Sequence, residues 1–432
     1  MSNGFQPVGD GPNVIYKLTA RTPSPSSELT QDHQTDVVVV GGGFTGLSAA
    51  LHLAQSGHGV VLVEANTVGW GASGRNGGQV NAGLKYEPSV LEEKFGTDLG
   101  GRMAEFSGNA PERVFSLINK HSIDCEADRS GTVRAAFTRG SADFIERATA
   151  DLQARGIPVT LLDRHDMRAT TGTDRYLNGA LDRRGGSLNP LGYARGLAAA
   201  AVDAGALIYE NTRAIELKRS GEDWILNTPK AKVTASWVVL ATNGYTDDLW
   251  PGLRQTVVPV FGGVIASEPL AAEDANRVMP GRHVLYEHES LTIYYRLDKA
   301  NHFLIGGRSR LRPLDGPRHF GELVGYTKRL WPFMDKVRWT HGWNGQLAIT
   351  TDSLPHFNEP TPNLIACLGY NGRGIAMGTA MGGEIARRVA GARPDELDMP
   401  VTTMKPIPFH RFWPIGASAR IAYGRLRTRF AI

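Results

Sequence analysis

Residues 36–65, "DVVVVGGGFTGLSAALHLAQSGHGVVLVEA", carry the pattern that decides the fold. Residues 36–40 are mostly valine, which is typical of a strand buried on both faces of a parallel sheet. A glycine-rich turn follows, then a segment with helical spacing that stops at Gly57, then a second strand that ends in Glu64. Strand, glycine turn, helix and strand in this order predict a Rossmann-like α/β domain that binds a dinucleotide.

The residues of this unit have distinct expected roles. Gly41 permits the tight turn, and Gly43 lets the backbone approach a pyrophosphate. Gly46 lets the helix pack against the sheet, and the first N–H groups of the helix face the anion. Glu64 lies 18 residues after Gly46 and is placed to accept hydrogen bonds from a ribose diol. An acid there disfavours the 2′-phosphate of NADP.

The next segment, residues 66–80, is unusual for a plain NAD domain, which would resume a helix here. It reads "NTVGWGASGRNGGQV" and has five glycines in fifteen residues. Such a loop is expected to press backbone N–H groups against a long, extended cofactor. Arg75 is expected to offset pyrophosphate charge, and Asn76 and Gln79 to hydrogen-bond a flavin edge. These features favour FAD.

Both segments together resemble the D-amino-acid oxidase superfamily of FAD enzymes. The similarity is strongest to the γ-glutamylputrescine oxidoreductase branch, whose members carry a very similar "GWGASGRNGGQ" segment. The superfamily resemblance covers most of the chain from Thr35 to about Gly391. It implies an FAD-dependent enzyme that oxidises the C–N bond of an amine or amino acid to an imine, which then hydrolyses. γ-Glutamylputrescine-like substrates come first by resemblance, followed by sarcosine, glycine and D-amino acids.

Two later segments repeat the strand-to-glycine pattern. Residues 235–246, "ASWVVLATNGYT", predict a buried strand that ends in Asn243 and Gly244, where this superfamily has a crossing near the cofactor. Residues 363–391 predict a strand, a glycine turn and a helix. The helix begins near Gly374, and its N-terminal N–H groups are expected to stabilise the anionic reduced flavin. The residues predicted to bind FAD are Gly41, Gly43, Phe44, Thr45, Gly46, Glu64, Ala65, Gly71, Ala72, Ser73, Arg75, Asn76, Gly77, Gly78, Gln79, Asn243, Gly244, Gly372, Arg373, Gly374, Ile375 and Ala376.

Long insertions between these segments predict a discontinuous architecture. The predicted units are an FAD-binding domain (35–85, 186–250 and 343–395), a substrate-binding domain with a mainly antiparallel sheet (86–185 and 251–342), an N-terminal arm (1–34) and a basic C-terminal tail (396–432). The tail is expected to contact the protein itself or another copy.

The flavin carries the hydride chemistry, so no catalytic side chain is predicted. Arg296 is predicted to clamp a substrate carboxylate, because D-amino-acid oxidases have an arginine at the matching place. The alternative is a surface arginine in a salt bridge. Arg308, Tyr295 and Trp343 are the further substrate-binding candidates. His341 and His356 are interpreted as packed or surface residues.

The amino-acid composition argues against several classes of protein. Two cysteines, far apart and in no metal spacing, predict neither a metal site nor a disulfide scaffold and favour a reducing compartment, the cytoplasm. The net charge is +4, and the last 32 residues alone carry six Lys or Arg and no acid. The near-neutral body argues against nucleic-acid binding. No apolar run has membrane-spanning length, so membrane contact is not expected.

Some choices stay open. Some sarcosine-oxidising relatives attach flavin through a cysteine near residues 341–357, and this segment has none, so the resemblance implies non-covalent FAD. The electron acceptor is O2 or another oxidant. The alternatives are a membrane-associated dehydrogenase that passes electrons to quinone, motivated by the basic tail, and a non-catalytic FAD-binding module.

Overall fold

Two β-sheets, joined by helices, form the framework of the protein. The computed structural model describes residues 13–23, 26–289, 292–419 and 423. Within these residues the α-helices are α1 (Phe44–Gln55), α2 (Pro88–Phe95), α3 (Thr97–Gly108), α4 (Ala110–Lys120), α5 (Arg139–Ala154), α6 (Arg164–Thr171), α7 (Pro190–Asp203), α8 (Ala272–Arg277), α9 (Gly321–Leu330) and α10 (Gly374–Val389).

The strands divide between these sheets and one short pair. They are β1 (His33–Val40), β2 (Val60–Val63), β3 (Gln79–Val80), β4 (Thr132–Ala136), β5 (Val159–Leu162), β6 (Asn178–Asp182), β7 (Gly186–Ser187), β8 (Leu207–Tyr209), β9 (Glu216–Ser220), β10 (Asp223–Asn227), β11 (Lys232–Leu240), β12 (Val258–Pro269), β13 (Val284–Glu287), β14 (Tyr294–Leu297), β15 (His302–Arg308), β16 (Trp339–Ile349), β17 (His356–Thr361), β18 (Leu364–Leu368) and β19 (Val401–Thr402).

The first sheet is centred on β1. Its order is β19-β17-β18-β11-β1-β2-β8, and the β9–β10 hairpin extends from β11. β1 pairs in parallel with both β2 and β11, so its valines are buried on both faces. α1 packs against α7 and α10 on one face. The opposite face carries Trp224, Leu226 and Leu253.

The second sheet has the order β16-β12-β15-β14-β13-β4-β6-β5. Its neighbours are antiparallel except for β13 and β4, which run parallel. Its core includes Tyr295, Phe303 and Trp331, with α9 packed alongside. The predicted α/β class, with one Rossmann-like parallel sheet and one mainly antiparallel sheet, is confirmed.

The structure differs from the predicted domain boundaries at three places in the chain. Residues 343–349 belong to β16 of the second sheet, because that strand runs on from Trp339 as the antiparallel partner of β12. β19 lies in the predicted tail but pairs with β17 of the first sheet. In the predicted arm, Val14, Ile15 and Tyr16 are buried in a cluster shared with the second sheet.

The tail docks on the body through backbone contacts. The N–H of Ile407 donates to the Gln255 carbonyl at 2.8 Å, and His410 Nε2 lies 2.7 Å from the Val257 carbonyl. Phe409 and Ile415 stay exposed. The arginines 420, 425, 427 and 429 lie outside the described residues. Among the described residues, no helix combines the length and apolar character needed to cross a membrane.

Candidate flavin site and substrate cavity

A cavity lies where the carboxyl ends of the first sheet's central strands face the second sheet. It holds about 1430 Å³ of empty space, counting its open mouth. Its wall comes from the β1–α1 turn, the glycine-rich loop, strands β12, β15 and β16, and the start of α10.

The glycines of the β1–α1 turn are required by close contacts. Gly41 has φ +113°, and a Cβ there would lie 3.0 Å from the Ala241 carbonyl oxygen. A Cβ at Gly46 would lie 2.0 Å from the carbonyl oxygen of Gly41, so only glycine lets α1 approach the turn. Gly43 borders the cavity, and a Cβ there would lie 2.9 Å from Ser73 Oγ. The backbone roles predicted for these three glycines therefore match their surroundings.

Glu64 ends β2 beside this turn. Its Oε2 accepts a hydrogen bond from the Gly42 N–H at 2.7 Å, and its Oε1 accepts one from the Asn66 N–H at 2.9 Å. Burial raises the pKa of this carboxyl, and the two N–H groups oppose the rise. The side chain is half-buried, so it is oriented by protein while part of it stays reachable by a hydroxyl. This arrangement fits a ribose diol.

The glycine-rich loop has little room for side chains because protein surrounds it. A Cβ at Gly71 would lie 3.1 Å from the Tyr245 ring, and one at Gly77 would lie 2.4 Å from the Tyr294 ring. Gly78 has φ +70°, and its Cβ would lie 2.3 Å from the Leu188 carbonyl oxygen. At these positions the glycines accommodate neighbouring protein.

Asn76 and Gln79 line the cavity, but their amides are used by the protein. The Asn76 Nδ2 group donates to the carbonyls of Ala72 and Ser73 at 3.1 and 2.8 Å. Gln79 Nε2 donates to the Leu285 carbonyl at 2.9 Å. The NH2 groups of both side chains therefore bond to backbone carbonyls of the protein, and the contact with a flavin edge stays a prediction.

Arg75 has the clearest features of an anion-binding side chain. Its side chain is 8% exposed, lies 4.2 Å over the Trp70 ring and borders the cavity. None of the described residues accepts a hydrogen bond from its buried NH2 group. Burial lowers the pKa of the guanidinium. A buried donor without an acceptor is rare in native proteins, so an anionic cofactor group fits here.

The start of α10 forms the opposite wall. Gly372 has φ +88°, and Gly374 and Ile375 begin the helix with N–H groups that have no partner inside it. These residues line the cavity. The side chain of Arg373 donates to the Ala82 carbonyl and, at 3.3 Å, to the Tyr286 hydroxyl. The helix N-terminus therefore presents a positive dipole end to the cavity.

Many of the predicted FAD-binding residues border the cavity. They are Gly43, Phe44, Thr45, Ala72, Ser73, Arg75, Asn76, Gly77, Gln79, Asn243, Gly372, Arg373, Gly374 and Ile375. The other predicted residues lie behind or beside its wall: Gly41, Gly46, Glu64, Ala65, Gly71, Gly78, Gly244 and Ala376.

Arg296, the predicted carboxylate clamp, does not reach the cavity. It is 4% exposed, and its Nε donates to the Gly77 carbonyl at 2.8 Å while an NH2 group donates to the Leu188 carbonyl at 3.2 Å. It shares a strand face with Tyr294, but residues 77–78 cross over it. Arg296 therefore fastens the glycine-rich loop to β14 and is neither a clamp nor a surface salt bridge.

Two further substrate candidates are also buried away from the cavity. Tyr295 lies in the second core, where its hydroxyl donates to that of Tyr176 at 3.1 Å. The Trp343 indole N–H donates to the Arg75 carbonyl at 2.9 Å. Arg308 is the one member of this predicted set on the cavity wall.

The cavity wall also contains Lys85 and Tyr286, which the sequence did not single out. Tyr294 lies on this wall as well, whereas Tyr295, its neighbour on the other strand face, does not. Burial, together with the nearby Arg373, Arg308 and Arg134, lowers the pKa of Lys85 to about 7. Lys85 keeps accessible surface because it projects into the cavity. It stands in "AGLKYEP", which carries no recognisable motif, so only the folded chain reveals it.

The two histidines that were interpreted as packed or surface residues, His341 and His356, contact neighbouring protein groups. His341 Nδ1 lies 2.9 Å from the Thr340 hydroxyl, and burial lowers its pKa. His356 pairs with Asp352 at 3.0 Å, and this contact helps to lower the pKa of Asp352 to about 2. Neither histidine borders the cavity.

This fold and this cavity define an α/β protein with a dinucleotide-type glycine turn beside a cation-lined cavity. Residues 36–388 match the family model described as FAD dependent oxidoreductase. The chain belongs to this family, the D-amino-acid oxidase group, and is an FAD-dependent oxidoreductase.

Similar proteins agree with this assignment. The chain is 31% identical to "Probable oxidoreductase OrdL" of Haemophilus influenzae, covering 84% of each chain. It is 30% identical to "Gamma-glutamylputrescine oxidoreductase" of Escherichia coli (strain K12), covering 87% of this chain and 88% of that protein. The crystal structure of glycine oxidase from Geobacillus kaustophilus superposes with a TM-score of 0.70 at 22% identity, covering 84% and 96%.

Proposed function

We propose that the protein binds FAD non-covalently and oxidises the carbon–nitrogen bond of a small amine or amino acid that carries a carboxylate. One observation carries the proposal. The backbone segments predicted to bind FAD line the same cavity as four cationic side chains, those of Arg75, Lys85, Arg308 and Arg373, and none of its described lining residues is Asp or Glu.

The protein's own residues would hold the cofactor in three places. Glu64 accepts from the ribose diol, and the N–H groups at the start of α1 bind the pyrophosphate. Arg75 supplies the buried donor that neutralises an anionic group. The start of α10, around Gly374 and Ile375, stabilises negative charge on the flavin ring.

Bound FAD supplies a two-electron acceptor, and the protein orients the substrate toward it. The substrate loses a hydride from the carbon next to nitrogen and a proton from nitrogen, which leaves an imine. Water then adds to the imine carbon and the C–N bond breaks, giving a carbonyl compound and an amine. O2 or a quinone would be the final electron acceptor.

The relatives guide the choice of substrates to test. The resemblance and the named E. coli relative favour γ-glutamylputrescine, while the fold neighbour adds glycine-type substrates. Tyr286 and Tyr294 present hydroxyls to the same space, where they hydrogen-bond a substrate without adding charge.

Anaerobic mixing tests the proposal. The holoenzyme is mixed with γ-glutamylputrescine, putrescine, sarcosine, glycine, D-alanine and D-aspartate while the flavin absorbance is followed. We expect at least one carboxylated amine to bleach the flavin. A flavin that stays oxidised with every compound would contradict the proposal. Air-saturated buffer and a soluble quinone then distinguish the two acceptors.

A further inference from the structure

We infer that the cavity has a second anion subsite, built from Lys85 and Arg373 beside Arg308, that selects amines carrying two carboxylates. The inference rests on the proposed function and narrows its substrate class. A secondary amine between two carboxymethyl groups and an amino dicarboxylic acid are the compounds with this chemistry.

The charges around Lys85 support a subsite of this kind. Arg373 bonds only to neutral oxygens, those of Ala82 and Tyr286. Among the described residues, no carboxylate lies within ion-pair distance of Lys85 or Arg373. Two positive charges that face one cavity repel each other, and a bound carboxylate relieves this repulsion.

The nearest acidic group is already paired. Glu87 Oε1 lies 2.7 Å from Arg134 NH1, and both side chains are largely buried. His288 lies 3.1 Å from Arg134, and burial together with the surrounding cations lowers its pKa to about 3, so it adds no charge near neutral pH. The charged groups that act on Lys85 are therefore the guanidinium groups of Arg373, Arg308 and Arg134, and Glu87 is already paired with Arg134.

Arg75 is a separate case. It is buried beside Trp70 in the glycine-rich loop, where an anionic part of FAD fits. One substrate carboxylate next to the reacting amine leaves the cations at Lys85 and Arg373 only partly neutralised. A second carboxylate completes the pairing, whereas a diamine adds further positive charge.

The hydroxyl of Tyr286 strengthens the subsite. The Tyr286 oxygen accepts a hydrogen bond from the Arg373 NH2 group at 3.3 Å. The O–H of Tyr286 can therefore donate to a ligand. Lys85, Arg373 and Tyr286 thus offer an ammonium, a guanidinium and a hydroxyl to one anion. Charge-assisted hydrogen bonds of this kind are the strong ones.

Matched substrates test the inference. Sarcosine and iminodiacetate differ by one carboxylate, and so do D-alanine and D-aspartate. We expect anaerobic mixing to show a ratio of the limiting rate constant of flavin reduction to the substrate Kd that is at least roughly tenfold higher for the dicarboxylate of a pair. Lys85→Met is expected to lower this ratio for the dicarboxylate by roughly tenfold or more and for the monocarboxylate by less than about threefold. Lys336→Met, at an exposed site far from the cavity wall, is the control.

A binding measurement gives a second readout. Malonate is expected to raise the Tm of the holoenzyme more than acetate does, and Lys85→Met is expected to remove this difference. Equal Tm shifts for malonate and acetate, or equal losses for both substrates of a pair, would overturn the subsite. Faster reduction by putrescine or by the monocarboxylates would also overturn it. If no amine reduces the flavin, the proposed function fails, while the malonate shift still decides whether the subsite exists.

Discussion

Glu287 links the second sheet to the pH dependence of stability. It ends β13, next to Tyr286 of the cavity wall, but its own side chain is 2% exposed and points into the core. Its carboxylate accepts hydrogen bonds from the hydroxyls of Tyr176, at 3.0 Å, and Tyr326. Burial raises the pKa of Glu287 from 4.5 to about 7, although the two tyrosines and Arg175 oppose the rise.

The sign of the pH effect follows from proton binding. Between pH 4.5 and about 7 the folded protein keeps the proton on Glu287 while the unfolded chain loses it. The free energy of unfolding therefore falls as the pH rises through this window and levels off above it. The change from 4.5 to about 7 corresponds to roughly 3 kcal/mol at 1.36 kcal/mol per pKa unit.

Glu287→Gln imitates the protonated acid and should remove this dependence. We subtract the free energy of unfolding of the wild type from that of the variant at each pH. We expect this difference to be about 3 kcal/mol larger at pH 8 than at pH 4.5, because only the wild type loses stability over this range. Any unmet hydrogen bond of the new amide adds the same cost at both pH values. The comparison between the two pH values is therefore what tests the reasoning.

Urea unfolding of the FAD-saturated enzyme at the two pH values, followed by circular dichroism, measures the change. Glu105→Gln, at an exposed site on α3, is the matched control and should show no comparable gain at pH 8. A Glu287→Gln variant whose relative stability is the same at both pH values would refute a buried, protonated Glu287.

Further predictions concern the cofactor and the cavity. Glu64→Ala should weaken FAD binding by roughly tenfold to a hundredfold in Kd, the effect of losing ~1.5–3 kcal/mol of charged hydrogen bonds. The turnover of the FAD-loaded enzyme should change little. Fluorescence titration measures the Kd, and an unchanged Kd would show that the ribose is held elsewhere. Acid denaturation should release FAD, and not FMN, into the supernatant, whereas flavin retained on the polypeptide would refute non-covalent binding. Arg296→Lys should lower the free energy of unfolding by ~1–3 kcal/mol, because buried carbonyls of the loop lose their donor. It should change the kinetics with carboxylated and decarboxylated substrates equally. A loss of activity confined to the carboxylated substrate would instead support Arg296 as the carboxylate clamp. Malonate affinity should fall as the pH rises through about 7, where free Lys85 loses its proton, and Lys85→Met should flatten that profile.

Much of the geometry of the glycine turn was predictable because several of its contacts are local along the chain. Gly46 lies against the Gly41 carbonyl and Glu64 accepts from the Gly42 N–H, all within one strand–turn–helix–strand unit. The helix that begins at Gly374 was predictable for the same reason. A run of β-branched residues followed by glycines and a helical hydrophobic period indicates a buried strand, a tight turn and a helix, which together form the dinucleotide-binding turn.

The substrate half could not be predicted in this way. Alternation along β14 indicates which residues share a face, but it does not reveal that residues 77–78 lie across Arg296 and separate it from the cavity. Arg308, by contrast, ends β15 at the cavity wall. Two arginines twelve positions apart therefore have different roles because of a loop more than two hundred residues away in sequence.

By itself the sequence determined the class of fold, the dinucleotide turn, the acid at its end and the glycine loop. These features follow from backbone sterics and hydrophobic period, which act between near neighbours in the chain. Only the tertiary structure decided that the loop glycines fit against Tyr245, Tyr294 and Leu188, and that Lys85 stands beside Arg373. Charge and packing between distant segments depend on which surfaces the fold brings together, and no local pattern records them.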